Sequence, residues 1–331
     1  MPSPVHDVLC LGNAIVDVIC RIDDDLLTSE NIVKGSMTLI DGARAEALFG
    51  LMGDVSVVSG GSAANTAVGV ASLGGRAAFI GKVRDDDVGT HFTRDLRSAG
   101  VHFATAPALD GPATARSYIM VTPDGQRSMS TYLGACQNLT AADVDADLVR
   151  GAAITYLEGY LWDPPAAKTA FREASRIAHA AERRVAITLS DSFCVDRYRE
   201  EFLDLIRTRA IDIVFANGGE LHALYQTADL GTALDAIRRD CDLAIVTMGG
   251  AGAIVATPEG TTSVPAFPID VLEDTTGAGD LFAAGFLTGH SRGRDHTESA
   301  RLGALAAAEV IQHLGAHPLV NLAELANRQG L

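Results

Sequence analysis

The run Asp274-Thr275-Thr276-Gly277-Ala278-Gly279-Asp280 leads into the apolar stretch Leu281-Phe282-Ala283-Ala284-Gly285-Phe286. This spacing sets two glycines and a carboxylate at the mouth of a helix. Backbone N–H groups at a helix start favour a bound anion, and glycines let them turn toward it. A phosphate would repel Asp280, yet the carboxylate is well placed to take a proton from an attacking hydroxyl. Positioning and charge stabilisation are most of what phosphoryl transfer needs. The same residues also suit a plain helix cap, with the glycines merely turning the chain. Spacing alone leaves both readings open.

Other spacings carry weaker signals. Gly60-Gly61 reads as a turn, Asn217-Gly218-Gly219-Glu220 suits a helix start, and Thr247-Met248-Gly249-Gly250-Ala251-Gly252 suits a glycine-rich hairpin. Residues 75–83 have the wrong glycine spacing for a P-loop, and Val83 stands where Ser or Thr should follow Lys82. Residues 60–64 lack the final glycine of a nucleophile elbow. The nine histidines show no metal-ligand spacing, and no G-x-G-x-x-G follows the first strand.

The elements that must position these residues alternate. Short apolar runs at 8–11, 77–80, 154–157, 185–189, 213–216 and 243–247 read as strands buried on both faces. Helical patterns fall at 63–73, 87–99, 165–182, 201–208, 219–225 and 232–240. This is the βαβ rhythm of a doubly wound, mostly parallel central sheet flanked by helices. Residues 16–21 with 36–40, and 113–122 with 127–132, read as hairpins of polar alternation, the second closed by Pro123-Asp124-Gly125-Gln126. They would form a small β-sheet lid, built discontinuously from about 14–41 and 112–134, on a single α/β domain spanning 1–331.

The bulk numbers agree with such a domain. At 331 residues with 47% hydrophobic and 21% charged, the chain buries a large core. A formal charge of −16 argues against nucleic acid, whose binders need a basic face. No run approaches the ~18 apolar residues of a membrane span, and no signal peptide is evident. Five cysteines, odd in number and without a C-x-x-C pair, suit free thiols in a reducing, cytoplasmic setting.

Residues 275–280 with Phe282, Ala284 and Gly285 resemble the C-terminal signature of the ribokinase-like (PfkB) family of sugar and nucleoside kinases. Ser59-Gly60-Gly61-Ser62-Ala63-Ala64-Asn65-Thr66-Ala67, leading to Leu73-Gly74 and Gly81-Lys82-Val83, resembles its N-terminal signature. The two lie in the family's order, over two hundred residues apart. The resemblance implies Asp280 as general base, with the N–H groups of Ala278 and Gly279 after Gly277, and that of Asp280 itself, forming the anion hole. It implies Asp17 and Asn13, from Gly12-Asn13-Ala14-Ile15-Val16-Asp17, on the hydroxyls of the acceptor, since a carboxylate can hold two. Gly60, Gly61 and the Asn65 amide would join them. ATP and Mg²⁺ are implied as well. Asn217 and Glu220 match the N-x-x-E motif that tunes magnesium, largely through water. Thr247, Gly249 and Gly252 match the nucleotide turn. Arg127 would close over the triphosphate, and Asp274, with the Thr276 backbone and the Gly315 region, would lie beside a K⁺ ion.

The forms G-N-A-I-V-D at 12–17, the stretch 128–136 and Leu-Ser-Asp-Ser-Phe-Cys-Val-Asp-Arg at 189–197 resemble the adenosine-phosphorylating branch. A nucleoside needs a slot for its base, where stacking contributes on the order of 1–3 kcal/mol. Tyr160, Leu161 and Trp162 are candidates for it, though Trp162 equally suits core packing. The expected reaction is γ-phosphoryl transfer from ATP to the 5′-hydroxyl of adenosine. A sugar, inosine or guanosine acceptor, or a non-catalytic ligand-binding regulator, are the alternatives. The chain would work as a monomer or homodimer.

Overall fold

The first strand is buried on both faces. Val8 and Cys10 face one apolar core, and Leu9 and Leu11 face the other. The computed structural model describes residues 3–124 and 126–331. Its strands are β1 (His6–Leu11), β2 (Ile15–Arg21), β3 (Met37–Leu39), β4 (Ser56–Gly60), β5 (Ala77–Ile80), β6 (His102–Phe103), β7 (Ala115–Val121) and β8 (Arg127–Tyr132). Then come β9 (Ala152–Glu158), β10 (Arg184–Thr188), β11 (Ile213–Asn217), β12 (Leu243–Thr247), β13 (Ala253–Thr257) and β14 (Gly260–Val264).

Nine strands form the central sheet in the order β14-β13-β12-β11-β10-β9-β1-β5-β6. From β12 to β6 every pairing is parallel. Two antiparallel strands, β13 and β14, finish one edge. From β1 the chain first winds outward to β5 and β6, then returns to β9 on the other side of β1. The strand order therefore reverses between β1 and β9. In open α/β sheets ligands bind at such a point, beyond the carboxyl ends of the strands. The doubly wound, mostly parallel architecture expected from the sequence is the one observed.

The second sheet runs β3-β8-β7-β2-β4. The 113–122 and 127–132 pair is an antiparallel hairpin, as expected, although Gly125 of its turn lies outside the described residues. The other expected hairpin does not form. β2 lies parallel to β7 and antiparallel to β4, while β3 pairs with β8 on the far side. The helices Asp24–Ser29 and Gly42–Phe49 separate these strands and let the chain cross the sheet. The small sheet thus takes a fifth strand, β4, outside the 14–41 and 112–134 segments, and β4 ends in the Gly60-Gly61 turn. The helix expected over 201–208 is the second part of Ser192–Arg207, which is kinked at Tyr198, and the first part is capped by the Asp191 side chain at Cys194 N.

Helix Ala278–Ser291, which carries Asp280, is set by close contacts with two neighbours. A Cβ on Gly69, in helix Ser62–Ser72, would come 2.6 Å from Ala284 Cβ and from Leu281 Cδ1. A Cβ on Gly285 would come 2.5 Å from Leu302 O and 2.6 Å from Gly303 Cα, in helix His296–Val310. Backbone cannot move aside as a side-chain end can, so Gly285→Ala should lower stability by about 1–3 kcal/mol. Gly260→Ala, where an added Cβ meets nothing within 4 Å, should be close to neutral. Chemical denaturation of both variants measures the difference.

Candidate active site

The expected site residues gather at the carboxyl ends of β1, β9, β10, β11 and β12. Gly277 enters helix Ala278–Ser291 with φ +79°, and no side chain caps the helix. An L-residue would be strained there, and its Cβ would meet Ala316 Cβ at 2.8 Å. Ala278 N–H turns back to Thr275 O at 3.2 Å. Among the described residues the N–H groups of Gly279 and Asp280 have no acceptor, and a Cβ on Gly279 would meet nothing within 4 Å. Two of the three expected anion-hole donors are therefore open, while Ala278 closes its own turn.

Asp280 is not a cap. Its Oδ1 accepts from Ser62 Oγ at 2.6 Å and its Oδ2 from Asn65 Nδ2 at 2.9 Å. Thr66 Oγ1 donates to its backbone carbonyl at 3.2 Å. The contact through Gly69 brings these two helix starts together. Burial raises the carboxyl's pKa above the ordinary carboxylate range, and the bonds from Ser62 and Asn65 partly offset it. Asn65, expected on the acceptor, is here bound to Asp280, and its own Oδ1 is buried without a partner.

Asp17 stands opposite in β2. A Cβ on Gly60 would come 2.3 Å from Asp17 Oδ2, so only glycine lets the backbone lie against this carboxylate. Gly61, at φ +96°, lies equally close to Asn13 O. No described residue donates a hydrogen bond to Asp17. Burial pushes its pKa up to about 7, with Arg127 opposing and Asp280 reinforcing the shift.

Glu158, which the sequence reading passed over, sits between these groups at the end of β9. Its Oε1 accepts from Asn13 Nδ2 at 2.6 Å, and its Oε2 from Ala63 N at 2.8 Å and Asn13 N at 3.3 Å. Asn13, expected on the acceptor, thus spends its amide on Glu158. Burial pushes Glu158 up to about 7 against those bonds. The available signal was a glutamate ending an otherwise apolar strand run, directly before Gly159.

Arg127, the first residue of β8, reaches across to the anion-hole loop. One Nη lies 2.5 Å from Asp274 Oδ2, and Nη1 donates to Thr276 Oγ1 at 2.7 Å. Asp274 also accepts from Thr276 N and Gly315 N, each at 3.0 Å. The carboxylate expected beside K⁺ therefore holds a guanidinium.

Asn217 and Glu220 form a closed capping box. Asn217 N donates to Glu220 Oε2 at 3.0 Å, Asn217 Nδ2 donates to Oε1 at 2.5 Å, and Glu220 N donates to Asn217 Oδ1 at 2.9 Å. Burial pushes Glu220 up to about 7. Both its oxygens are engaged, so the residue fits an influence on magnesium through water and not direct ligation. Among the described residues no group of three or more His, Cys, Asp or Glu could hold a metal alone.

Thr247 ends β12, and residues 248–252 turn into antiparallel β13, so the glycine-rich segment is a hairpin. Gly249, at φ +57°, faces open space, whereas a Cβ on Gly252 would strike Val264 O. Trp162 is fully buried against Phe171 and Phe202 and donates to Glu201 Oε2, and Leu161 is buried too. Neither lines the cleft. Tyr160 is 41% exposed, and its N–H donates to the hydroxyl of Ser190, itself strained at φ +73°. Phe193, in the first turn of helix Ser192–Arg207, is 81% exposed. Non-glycine residues at such φ cluster at functional sites, a signal that no sequence pattern carries.

This geometry joins a buried carboxylate, open N–H groups at a helix start and a second carboxylate lacking donors. The family description pfkB family carbohydrate kinase matches residues 28–321, and the chain belongs to that family. It is therefore a phosphotransferase with an alcohol group as acceptor. An adenosine kinase structure from Sinorhizobium meliloti is 56% identical, covering 98% of this chain and 99% of that one, with a TM-score of 0.92. A structure from Rhizobium etli CFN 42, named a probable sugar kinase, is 52% identical over 99% of both chains, with a TM-score of 0.93. An ATP-dependent ribose-1-phosphate kinase of Halopiger xanaduensis is 35% identical, over 69% of this chain and 72% of its own length.

The buried carboxylates make stability depend on pH in a defined sense. Glu158 keeps a proton in the folded chain up to about 7, while its ordinary value is 4.5. Between these values the folded state binds more protons, so this group's contribution falls as pH rises and is lost above the folded value. Glu158→Gln removes that dependence. Between about pH 5 and pH 8 the stability difference should move in the variant's favour by about 1–3 kcal/mol. Urea denaturation at the two pH values measures it, and parallel curves would contradict the assignment.

Proposed function

We propose that the chain transfers the γ-phosphoryl group of ATP to the 5′-hydroxyl of a nucleoside, with adenosine as the acceptor. The observation that carries this reading is the pair of carboxylates across the cleft. Asp280 is held by Ser62 and Asn65, and Asp17 has no donor among the described residues. A vicinal diol supplies two donors to Asp17 and so replaces the water that burial has removed. That contact aims the exocyclic hydroxyl at Asp280.

Asp280 takes the hydroxyl proton as the oxygen attacks the γ-phosphorus, and the bond to the bridging oxygen breaks to leave ADP. The N–H groups of Gly279 and Asp280 hold the charge spread over the transferred group. Bound Mg²⁺ neutralises charge on the phosphates, and the buried Asn217–Glu220 pair influences it through its waters. Residues 247–252 would take the nucleotide, with open Gly249 allowing close approach. Arg127 leaves Asp274 for the triphosphate when ATP binds, and the Asp274 carboxylate would then be the group to hold a K⁺ ion, which would supply positive charge beside the turn.

The small sheet closes over the cleft as a lid and limits wasteful hydrolysis. Exposed Tyr160 and Phe193 offer aromatic faces to a base. The Sinorhizobium enzyme supports adenosine, and the Rhizobium protein supports a sugar as the second reading. No described helix is long and apolar enough to cross a membrane. All five cysteines are free, which supports a cytoplasmic place in purine salvage.

Adenosine, inosine, guanosine, ribose and fructose, each supplied with Mg-ATP, test the acceptor. Adenosine should give the highest kcat/KM, and preference for a free sugar would overturn the nucleoside reading. Asp280→Asn should lower kcat by about a thousandfold or more while nucleoside binding persists. Turnover within a few-fold of wild type would remove Asp280 as the base.

A further inference from the structure

Helix Asp87–Ser98 reaches the acceptor-binding turn from behind, through one carboxylate that faces no part of the cleft. Asp95 Oδ2 accepts the backbone N–H of Ser59 at 2.7 Å. Ser59 lies on β4, at the edge of the small sheet, and directly precedes Gly60 and Gly61. A buried N–H left without an acceptor costs about 1–3 kcal/mol, and an edge strand lacks a second neighbour to supply one. Asp95 supplies it at the last position before the chain must pass within contact of Asp17 and Asn13.

The clearances beyond Ser59 are small. Added Cβ atoms on Gly60 and Gly61 would lie only 2.3 Å from Asp17 Oδ2 and Asn13 O. A displacement of a few tenths of an ångström at Ser59 therefore changes how the turn meets the Asp17 carboxylate. Burial works to raise the Asp95 carboxyl, but the bond from the Ser59 N–H, with His317 and His91 acting electrostatically, holds it below the usual range. His317 follows Ala316, against which Gly277 packs, and Gly315, whose N–H donates to Asp274.

We propose that Asp95 is a positioning residue for the acceptor: by anchoring Ser59 it sets Gly60 and Gly61 against Asp17 and Asn13 without touching the acceptor itself. This rests on the reading of Asp17 as the acceptor-binding carboxylate. Losing the anchor weakens acceptor binding and leaves nucleotide binding in place.

Asp95→Ala and Asp95→Asn test it, because asparagine keeps a neutral oxygen for the Ser59 N–H. Asp95→Ala should raise the KM for adenosine about tenfold, the size of one hydrogen bond to a charged group, with the KM for ATP within twofold. Asp95→Asn should recover most of that loss. An unchanged adenosine KM, an equal rise in both KM values, or an asparagine variant no better than alanine would each overturn the proposal. If Asp95→Ala fails to fold, Asp95→Asn still decides, with an expected rise in adenosine KM of about two- to fourfold alone.

Hydrogen exchange separates a failure here from a failure of the proposed function. The Ser59 amide should exchange at least about tenfold faster in Asp95→Ala than in wild type, whatever substrate the protein uses. Unchanged exchange refutes the anchor. Faster exchange in a protein that phosphorylates no nucleoside refutes the functional reading and, with it, the acceptor role given to Asp95.

Discussion

The site depends on one buried carboxylate at the point where the strand order reverses. Glu158 ends β9, and it binds both the first turn after β1, through Asn13, and the start of helix Ser62–Ser72, through Ala63. Without it, the N–H groups of Asn13 and Ala63 would be buried with no partner. The chain would then have no reason to bring β1, β9 and the small sheet's last turn to one place. Gly12 shows how tight the junction is, since an added Cβ would lie 2.3 Å from Glu158 Oε2 and 2.5 Å from Ala63 Cβ. Once that helix start is fixed, Ser62, Asn65 and Thr66 fall on Asp280. Asp280 is therefore positioned through the turn after β4 and the helix that follows it, not by its own helix alone.

The same arrangement concentrates negative charge. Asp17, Glu158 and Glu220 are each pushed up to about 7, chiefly by burial, and Asp280 is raised as well. Asp280 reinforces the shift of both Asp17 and Glu158. A cleft of this kind has weak affinity for a bare polyphosphate and needs cations and hydroxyl donors to settle. The cation from the protein is Arg127, which acts on Asp17 and pairs with Asp274. Metal carried in with the nucleotide supplies the rest under the proposed function. Protonation of the buried carboxylates stabilises the empty site and opposes the ionised form that the base requires, so acceptor binding and stability pull in opposite directions with pH.

Much of this was legible in the sequence because it rests on periodicity and on glycine. The parallel strands read as apolar runs, and Gly60, Gly61 and Gly277 mark places where backbone must approach backbone or carboxylate. Three features were hidden for definite reasons. Strand β4 is short and half exposed, with no alternation to mark it as part of the small sheet. Glu158 lies 145 residues from Asn13, and nothing local says that a strand-end glutamate is buried. Trp162 and Tyr160 are two positions apart, yet one is buried and the other faces the cleft, because a short 3₁₀ turn follows β9. Continuing the strand period of β9 would have put both on one face, and the turn breaks that period.

Arg127 shows why a residue and its role are separate questions. The sequence placed it at the start of a lid strand and aimed it at a triphosphate. In the structure it pairs instead with Asp274 and Thr276, at the foot of the anion-hole turn. Both placements follow from one constraint. A guanidinium enclosed by the small sheet needs an anion, and Asp274 is the carboxylate within its reach. A γ-phosphate at Gly279 and Asp280 would offer a stronger, bidentate partner a short distance away. Under the proposed function the guanidinium would then have two acceptors, and exchange between them would couple nucleotide binding to the position of β8. Since β8 pairs with β7, β7 with β2, and β2 carries Asp17, the nucleotide and the acceptor act on the same five strands.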